Sequence, residues 1–230
     1  MKKFDFELES SEKILIDKVF RTWSENSFCI INFLYYSNYT LLKKDREYKE
    51  ALDISSHLLP DGIGMQILYK HKYNIKLPNL NGTDFTPYVL RYTAEEKISF
   101  ALYGSTDNGL KFFKEWLEKE YGLLPYFSVN GYETIDLKSI KNNSILLIGR
   151  GSPLQEKWVL KNVNEVKEKG LMVITVGGFF DYFSPDNRRA PNFIRKIKLE
   201  FLFRFLQSPR KNFSKFFRNF NIIMDLFNNI

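Results

Sequence analysis

The chain has 230 residues, 44% of them hydrophobic, a formal charge of +7 at neutral pH and one cysteine. That length and apolar content suit one large α/β domain, or a domain with an appendage, and exclude global disorder. The lone Cys29 excludes an internal disulfide, and with only His57 and His71 beside it a Cys/His zinc centre is excluded as well.

Residues 10–22 show helix periodicity, with Ile14, Val19 and Phe20 among the apolar positions. Cys29 to Tyr36 is a buried-strand run that ends in Ser37-Asn38, and a polar helix is expected from Asp45 to His57. In Pro60-Asp61-Gly62-Ile63-Gly64 the proline fixes a turn, and Met65 to Tyr69 opens a helix. Read locally, Asp61 is a helix cap or a functional acid at a helix start. Residues 83–92 read as a helix capped by Thr83 or Asp84.

Lys97 to Tyr103 is a strand closing on Gly104-Ser105, and Leu110 to Glu120 is an amphipathic helix. Phe127 to Val129 is a weak strand, followed by Asn130-Gly131-Tyr132. Ser144 to Ile148 and Met172 to Val176 are buried strands closed by Gly149-Arg150-Gly151-Ser152-Pro153 and Gly177-Gly178. A helix over Glu156 to Val163 lies between them. Alternation of short apolar strands with helices predicts a Rossmann-like, mostly parallel sheet with helices on both faces. The glycines at its strand ends stand where such sheets bind ligands.

From Pro191 the character changes. Residues 188–230 carry ten Lys/Arg against two acids, and nine of the chain's 22 phenylalanines follow residue 192. We therefore divide the chain into an α/β domain, residues 1–191, and a basic, Phe-rich helical appendage, residues 192–230. Such a segment is suited to the surface of an anionic membrane. No apolar run reaches the length of a transmembrane helix and no signal peptide is visible, so a cytoplasmic protein is expected, peripheral on the inner face of the cell membrane.

Several standard sites are absent from the sequence: the G-x-x-x-x-G-K-[ST] phosphate loop, G-x-G-x-x-G after a strand, Gly-x-Ser-x-Gly and Asp-x-Asp. Four motifs remain, in order: Pro60-Asp61-Gly62-Ile63-Gly64; Asn81-Gly82-Thr83-Asp84; Gly149-Arg150-Gly151-Ser152-Pro153-Leu154-Gln155-Glu156; and Gly177-Gly178-Phe179-Phe180-Asp181 leading to Arg188-Arg189-Ala190-Pro191. With Leu199 to Arg204 and Ser208-Pro209-Arg210, this series resembles the WecG/TagA/CpsF family of bacterial glycosyltransferases, glycosyltransferase family 26, from about Tyr36 to Arg210. Where the family carries Thr-x-Asn after its first long strand, this chain has Tyr36-Ser37-Asn38.

The resemblance implies an inverting, metal-independent transfer that uses no cofactor. A sugar, often of the N-acetylmannosamine type, would pass from a UDP donor to a polyprenyl-diphosphate-linked acceptor in capsule, exopolysaccharide or teichoic acid synthesis. It implies Asp61 as the base, Gln155 as a substrate contact and Arg204 as a cation for the departing diphosphate. Substrate-binding candidates are Asn38, Gly62, Gly64, Thr83, Asp84, Gly104, Tyr132, Gly149, Gly151, Ser152, Gly178, Asp181, Arg210 and Lys211. Tyr132 suits either a uracil contact or packing. Asp181 suits either ligand binding or pinning its loop to Arg188 or Arg189. Glu156 reads as a plain helix start. Competing readings are a nucleic-acid-binding module, which the all-Phe aromatics of the appendage disfavour, and a family member that binds UDP-sugar without catalysis. A homo-oligomer is left open.

Overall fold

The computed structural model describes residues 3–185. Helix α1 (Glu12–Asn26) leads into strand β1 (Cys29–Tyr35), a short helix α2 (Tyr36–Tyr39) and a 3-10 turn. Then follow α3 (Arg46–Asp53), β2 (His57–Asp61), α4 (Gly62–Tyr73), α5 (Gly82–Glu95), β3 (Phe100–Gly104), α6 (Asp107–Tyr121) and β4 (Phe127–Val129). The described chain closes with β5 (Ile145–Gly149), α7 (Leu154–Lys161), α8 (Val163–Glu168), β6 (Met172–Thr175) and a 3-10 turn at Phe180–Phe183. Six strands form one all-parallel sheet in the order β2-β1-β6-β5-β3-β4, as the alternating pattern predicts.

The apolar runs are continuous because both faces are covered. On one face Ile31, Leu102, Leu147 and Ile174 pack under α1, α5 and α6. On the other, Ile30, Ala101, Leu146, Ile148 and Val173 meet Val159 of α7 and Val166 of α8, and Leu34 and Leu58 meet α3 and α4. Burying a Leu or Ile side chain contributes roughly 1.5–3 kcal/mol, so these two layers dominate the stability. A polar pair sits between them: Thr175 Oγ1 donates to Asn32 Oδ1 at 2.8 Å, and Asn32 Nδ2 donates to Ser55 Oγ at 2.9 Å. A one-residue slip of β1 against β6 would leave these buried groups unpaired.

Four local expectations change. Pro60 is not a turn residue but part of β2, paired with Leu34. β2 is an edge strand among the described residues, and there a missing N–H costs no ladder bond. The polar helix stops at Asp53, and His57 opens β2 instead. Asn81, not Thr83 or Asp84, caps α5: its Oδ1 accepts from the Asp84 amide at 2.9 Å, while its Nδ2 donates back to Asp84 Oδ2 at 2.7 Å. The helix after Pro153 is two helices, broken at Asn162, whose Nδ2 bonds the Trp158 carbonyl at 2.7 Å.

From β3 the chain runs outward to β4, and from the neighbouring β5 it runs inward to β6. The helices that follow lie on opposite faces, α6 on one and α7 on the other. Such a reversal leaves a crevice outside the carboxyl ends of the strands. The described part of the α/β domain matches the expected class. The domain boundary at 191 and the appendage lie outside the described residues.

Candidate active site

Every strand delivers its carboxyl end to one edge, and the motif residues follow those ends. The β3, β4 and β5 ends are drawn together through backbone. Ser105 N donates to Gly149 O at 3.0 Å, and Gly131 N donates to Ser105 O at 2.9 Å. Gly104, at φ +136°, lies so close to Gly149 that an added Cβ would stand 2.4 Å from its carbonyl. A Cβ on Gly149 would stand 2.6 Å from the Phe180 ring. Packing therefore accounts for both glycines, whatever they also do for a ligand. Arg150 Nε donates to Gly131 O at 3.0 Å, its guanidinium 5.0 Å from the centre of the Tyr103 ring. Tyr132 is 86% exposed at the tip of its loop among the described residues.

Gly177 and Gly178 carry the chain from β6 into the Phe180–Phe183 turn. That turn is anchored by aromatic contacts: Phe183 stacks on Trp116 at 4.2 Å, and Phe180 lies 4.8 Å from Phe113. Asp181 accepts a hydrogen bond from the Ser105 hydroxyl, which ties the β6 loop to the β3 loop. The expected partners Arg188 and Arg189 lie outside the described residues.

Gln155, 3% exposed, sits where the β5 and β6 loops meet. Its Oε1 accepts from the Gly151 amide at 3.2 Å and the Gly177 amide at 3.1 Å. Its Nε2 donates to Glu156 Oε1 at 3.0 Å and lies 3.4 Å from Ser152 Oγ. Ser152 also donates to Glu156 Oε1. Glu156 is not a plain helix-start residue: it is fully buried, and burial raises its pKa, while the bonds from Ser152 and Gln155 pull the other way. Sequence patterns gave no sign of this, because an acid after Pro153 is what any first helical turn would carry.

The β1 and β2 ends supply the other half. Asn38 is buried in α2, with Nδ2 3.4 Å from the Tyr48 hydroxyl, while Asn38 Oδ1 and Ser37 Oγ have no hydrogen-bond partner among the described residues. Tyr48, on α3, was not singled out from the sequence. Burial holds its pKa well above 10.0, the Glu156 carboxyl adds to that shift, and hydrogen bonds to Asn38 and Ser152 oppose it. Tyr48 therefore links the two halves. Asp61 closes β2 opposite Tyr35, half-buried, and its side chain does not cap α4. The Gly62 amide is held instead by Asn79 Oδ1 at 2.9 Å, and Leu80 N donates to Pro60 O at 3.0 Å. Gly64 lies in the first turn of α4. The Leu80 bond brings the start of α5, with Thr83 and Asp84, to the same edge.

The structure thus gathers Asn38, Asp61, Gly62, Gly64, Thr83, Asp84, Gly104, Tyr132, Gly149, Gly151, Ser152, Gln155, Gly178 and Asp181 along one edge. Arg204, Arg210 and Lys211 lie outside the described residues. A depression of about 450 Å³ at the opposite end of the sheet, lined among others by Phe20, Trp23, Tyr92, Glu96 and Asn143, holds a single carboxylate and none of the motif residues. No group of three or more His, Cys, Asp or Glu suited to a metal occurs among the described residues. Nor is any helix among them long and apolar enough to cross a membrane.

A family model described as the glycosyl transferase WecG/TagA/CpsF family matches residues 4–229. An N-acetylglucosaminyldiphosphoundecaprenol N-acetyl-beta-D-mannosaminyltransferase of Bacillus subtilis (strain 168) is 29% identical over 175 residues, covering 72% of this chain and 66% of that protein. A protein of the same name from Staphylococcus aureus (strain MW2) is 25% identical over 174 residues, covering 71% of this chain and 66% of that protein. The chain spans just under two thirds of the length of these relatives.

Proposed function

The chain belongs to the WecG/TagA/CpsF family of glycosyl transferases, and from that membership we propose that it moves a sugar from a UDP donor to a polyprenyl-diphosphate-linked saccharide. The sugar is of the N-acetylmannosamine type or a related hexose, and the product feeds a bacterial cell-surface polysaccharide such as teichoic acid. The relatives' names support the acceptor and sugar class. The observation that carries the reading is Asp61: a half-buried acid at the carboxyl end of β2 whose side chain does not cap α4, a task Asn79 takes at Gly62.

In this reading the acceptor hydroxyl attacks the anomeric carbon from the face opposite the diphosphate, so the configuration inverts. Asp61 takes the hydroxyl proton as the new C–O bond forms. The bond to the UDP oxygen breaks, and the charge that develops on the diphosphate is met by main-chain N–H groups and arginines, Arg204 among them. Asn38 and the loops carrying Gly62, Gly64, Thr83 and Asp84 bind on the acceptor side. The loops carrying Gly104, Tyr132, Gly149, Gly151, Ser152, Gly178 and Asp181 receive the donor, with Arg210 and Lys211 beside its phosphates. No metal enters this scheme. The basic, Phe-rich residues 192–230 hold the protein on the membrane that carries the acceptor.

The test is a panel of UDP-sugars with a lipid-diphosphate N-acetylglucosamine acceptor, run on the full chain and on Asp61→Asn. Transfer by the first and loss of turnover with retained UDP binding in the second are expected. Undiminished turnover in Asp61→Asn would overturn the assignment of the base. Co-sedimentation with anionic liposomes, beside a nucleic-acid mobility shift, checks the surface on which the chain works.

A further inference from the structure

Gln155 and Glu156 are adjacent in the sequence and both buried, yet only Gln155 belongs to the machinery implied by family resemblance. The hydrogen bonds fix the orientation of the Gln155 amide without ambiguity. Two main-chain N–H groups, those of Gly151 and Gly177, point at one end, and an N–H can only donate, so that end is the oxygen. The nitrogen end then faces Glu156 Oε1, which also accepts from the Ser152 hydroxyl. The Glu156 carboxyl thus supplies the acceptor that an amide in this orientation needs.

Stability does not explain why a carboxyl stands there. Glu156 Oε2 is buried with no hydrogen-bond partner among the described residues. A half-satisfied buried acid lowers stability relative to an apolar side chain of similar size.

We propose that Glu156 is a positioning residue: its carboxyl orients Gln155, which clamps the loops after β5 and β6 through Gly151 and Gly177 and so sets the crevice between them. This rests on the reading above only in naming the UDP-sugar donor as what that crevice receives. Gln155 then acts through its main-chain partners, and Tyr48, bonded to Asn38 and close to Ser152 and Glu156, carries the same order to the β1 side.

The experiment compares Glu156→Leu and Glu156→Gln in the full chain by amide hydrogen exchange, thermal melting and steady-state kinetics. In Glu156→Leu the melting temperature stays at or above that of the parent. Exchange at Gly151 and Gly177 rises about fivefold, the factor set by one hydrogen bond. Donor KM rises about tenfold, with acceptor KM unmoved. Glu156→Gln keeps an oxygen acceptor and restores both amide protection and donor KM. If Glu156→Leu does not fold, Ser152→Ala, which removes one of the two donors to Glu156, shows the same rise in exchange at a smaller scale. Unchanged exchange in a folded variant, or failure of Glu156→Gln to restore it, overturns the proposal. If the parent transfers no sugar while exchange behaves as stated, the clamp stands and the assignment of function fails.

Discussion

At the ends of β3, β5 and β6 the polar groups, Glu156 Oε2 apart, are engaged with one another. Main-chain bonds join Ser105, Gly131 and Gly149, Asp181 holds Ser105, and Gln155 holds Gly151 and Gly177. At the ends of β1 and β2 the pattern is reversed. Ser37 Oγ and Asn38 Oδ1 are buried with no partner among the described residues. Unmade hydrogen bonds in a buried place cost about 1–3 kcal/mol each, and a fold that tolerates them at one edge has a use for them there. One half of the crevice holds its shape; the other half keeps hydrogen-bonding capacity for a ligand.

That contrast breaks or sharpens under substitution. Asp61→Asn is expected to lower kcat by about 10²–10⁴-fold, the usual contribution of a general base, with the melting temperature unchanged in calorimetry. Gly104→Ala should do the opposite. A Cβ there meets the Gly149 carbonyl at 2.4 Å on a backbone at φ +136°, a cost of about 3 kcal/mol or more. At about 2–4 °C per kcal/mol, a thermal melt would show a fall of several degrees. Asn38→Ala is expected to reduce kcat/KM about 30-fold, equivalent to about 2 kcal/mol of lost substrate bonding, while melting moves little. A large melting loss in Asn38→Ala would erase the distinction between the halves.

The smallest effect is a pH dependence. Burial raises the Glu156 pKa above its ordinary value of 4.5. The folded chain therefore holds a proton that the unfolded chain releases, and this contribution to stability is complete below pH 4.5 and is lost as pH rises through the raised value. Melting of the parent against Glu156→Gln should show that loss in the parent alone. Glu7 runs the other way. Burial raises its pKa, but Lys18, His57 and the Glu9 amide outweigh this and lower it. Its stabilisation is present above pH 4.5 and is lost as pH falls through the lowered value.

Much of this was legible in the sequence because continuous apolar strands and strand-end glycines follow from a sheet covered on both faces. Five strands were visible as runs of Ile, Leu, Val or Phe. β2 was not, because Pro60 reads as a turn, and only its place at the sheet edge makes proline acceptable. The positions of Asn38 and Ser152 at strand ends were legible from the apolar runs before them, whereas that of Asp61 was not, because β2 was not. The burial of Glu156 and the bridging place of Tyr48 were not, since they arise from the packing of α3 against α7, residues about a hundred positions apart. Gly149 was legible as special but not as a seat for Phe180.

β6 has a consequence for how the chain comes to be folded. In the order β2-β1-β6-β5-β3-β4 it is the sole strand joining the β1–β2 pair to the β5-β3-β4 group. It is also the last of the six to emerge during synthesis. Until Met172–Thr175 is available, Cys29–Ile31 of β1 and Ile145–Ile148 of β5 present open, apolar edges. Closure couples positions more than 140 residues apart, a slow, high-contact-order step that leaves a nascent chain exposed to aggregation. Two half-sheets, each carrying half of the crevice, become a single sheet when four residues slide between them.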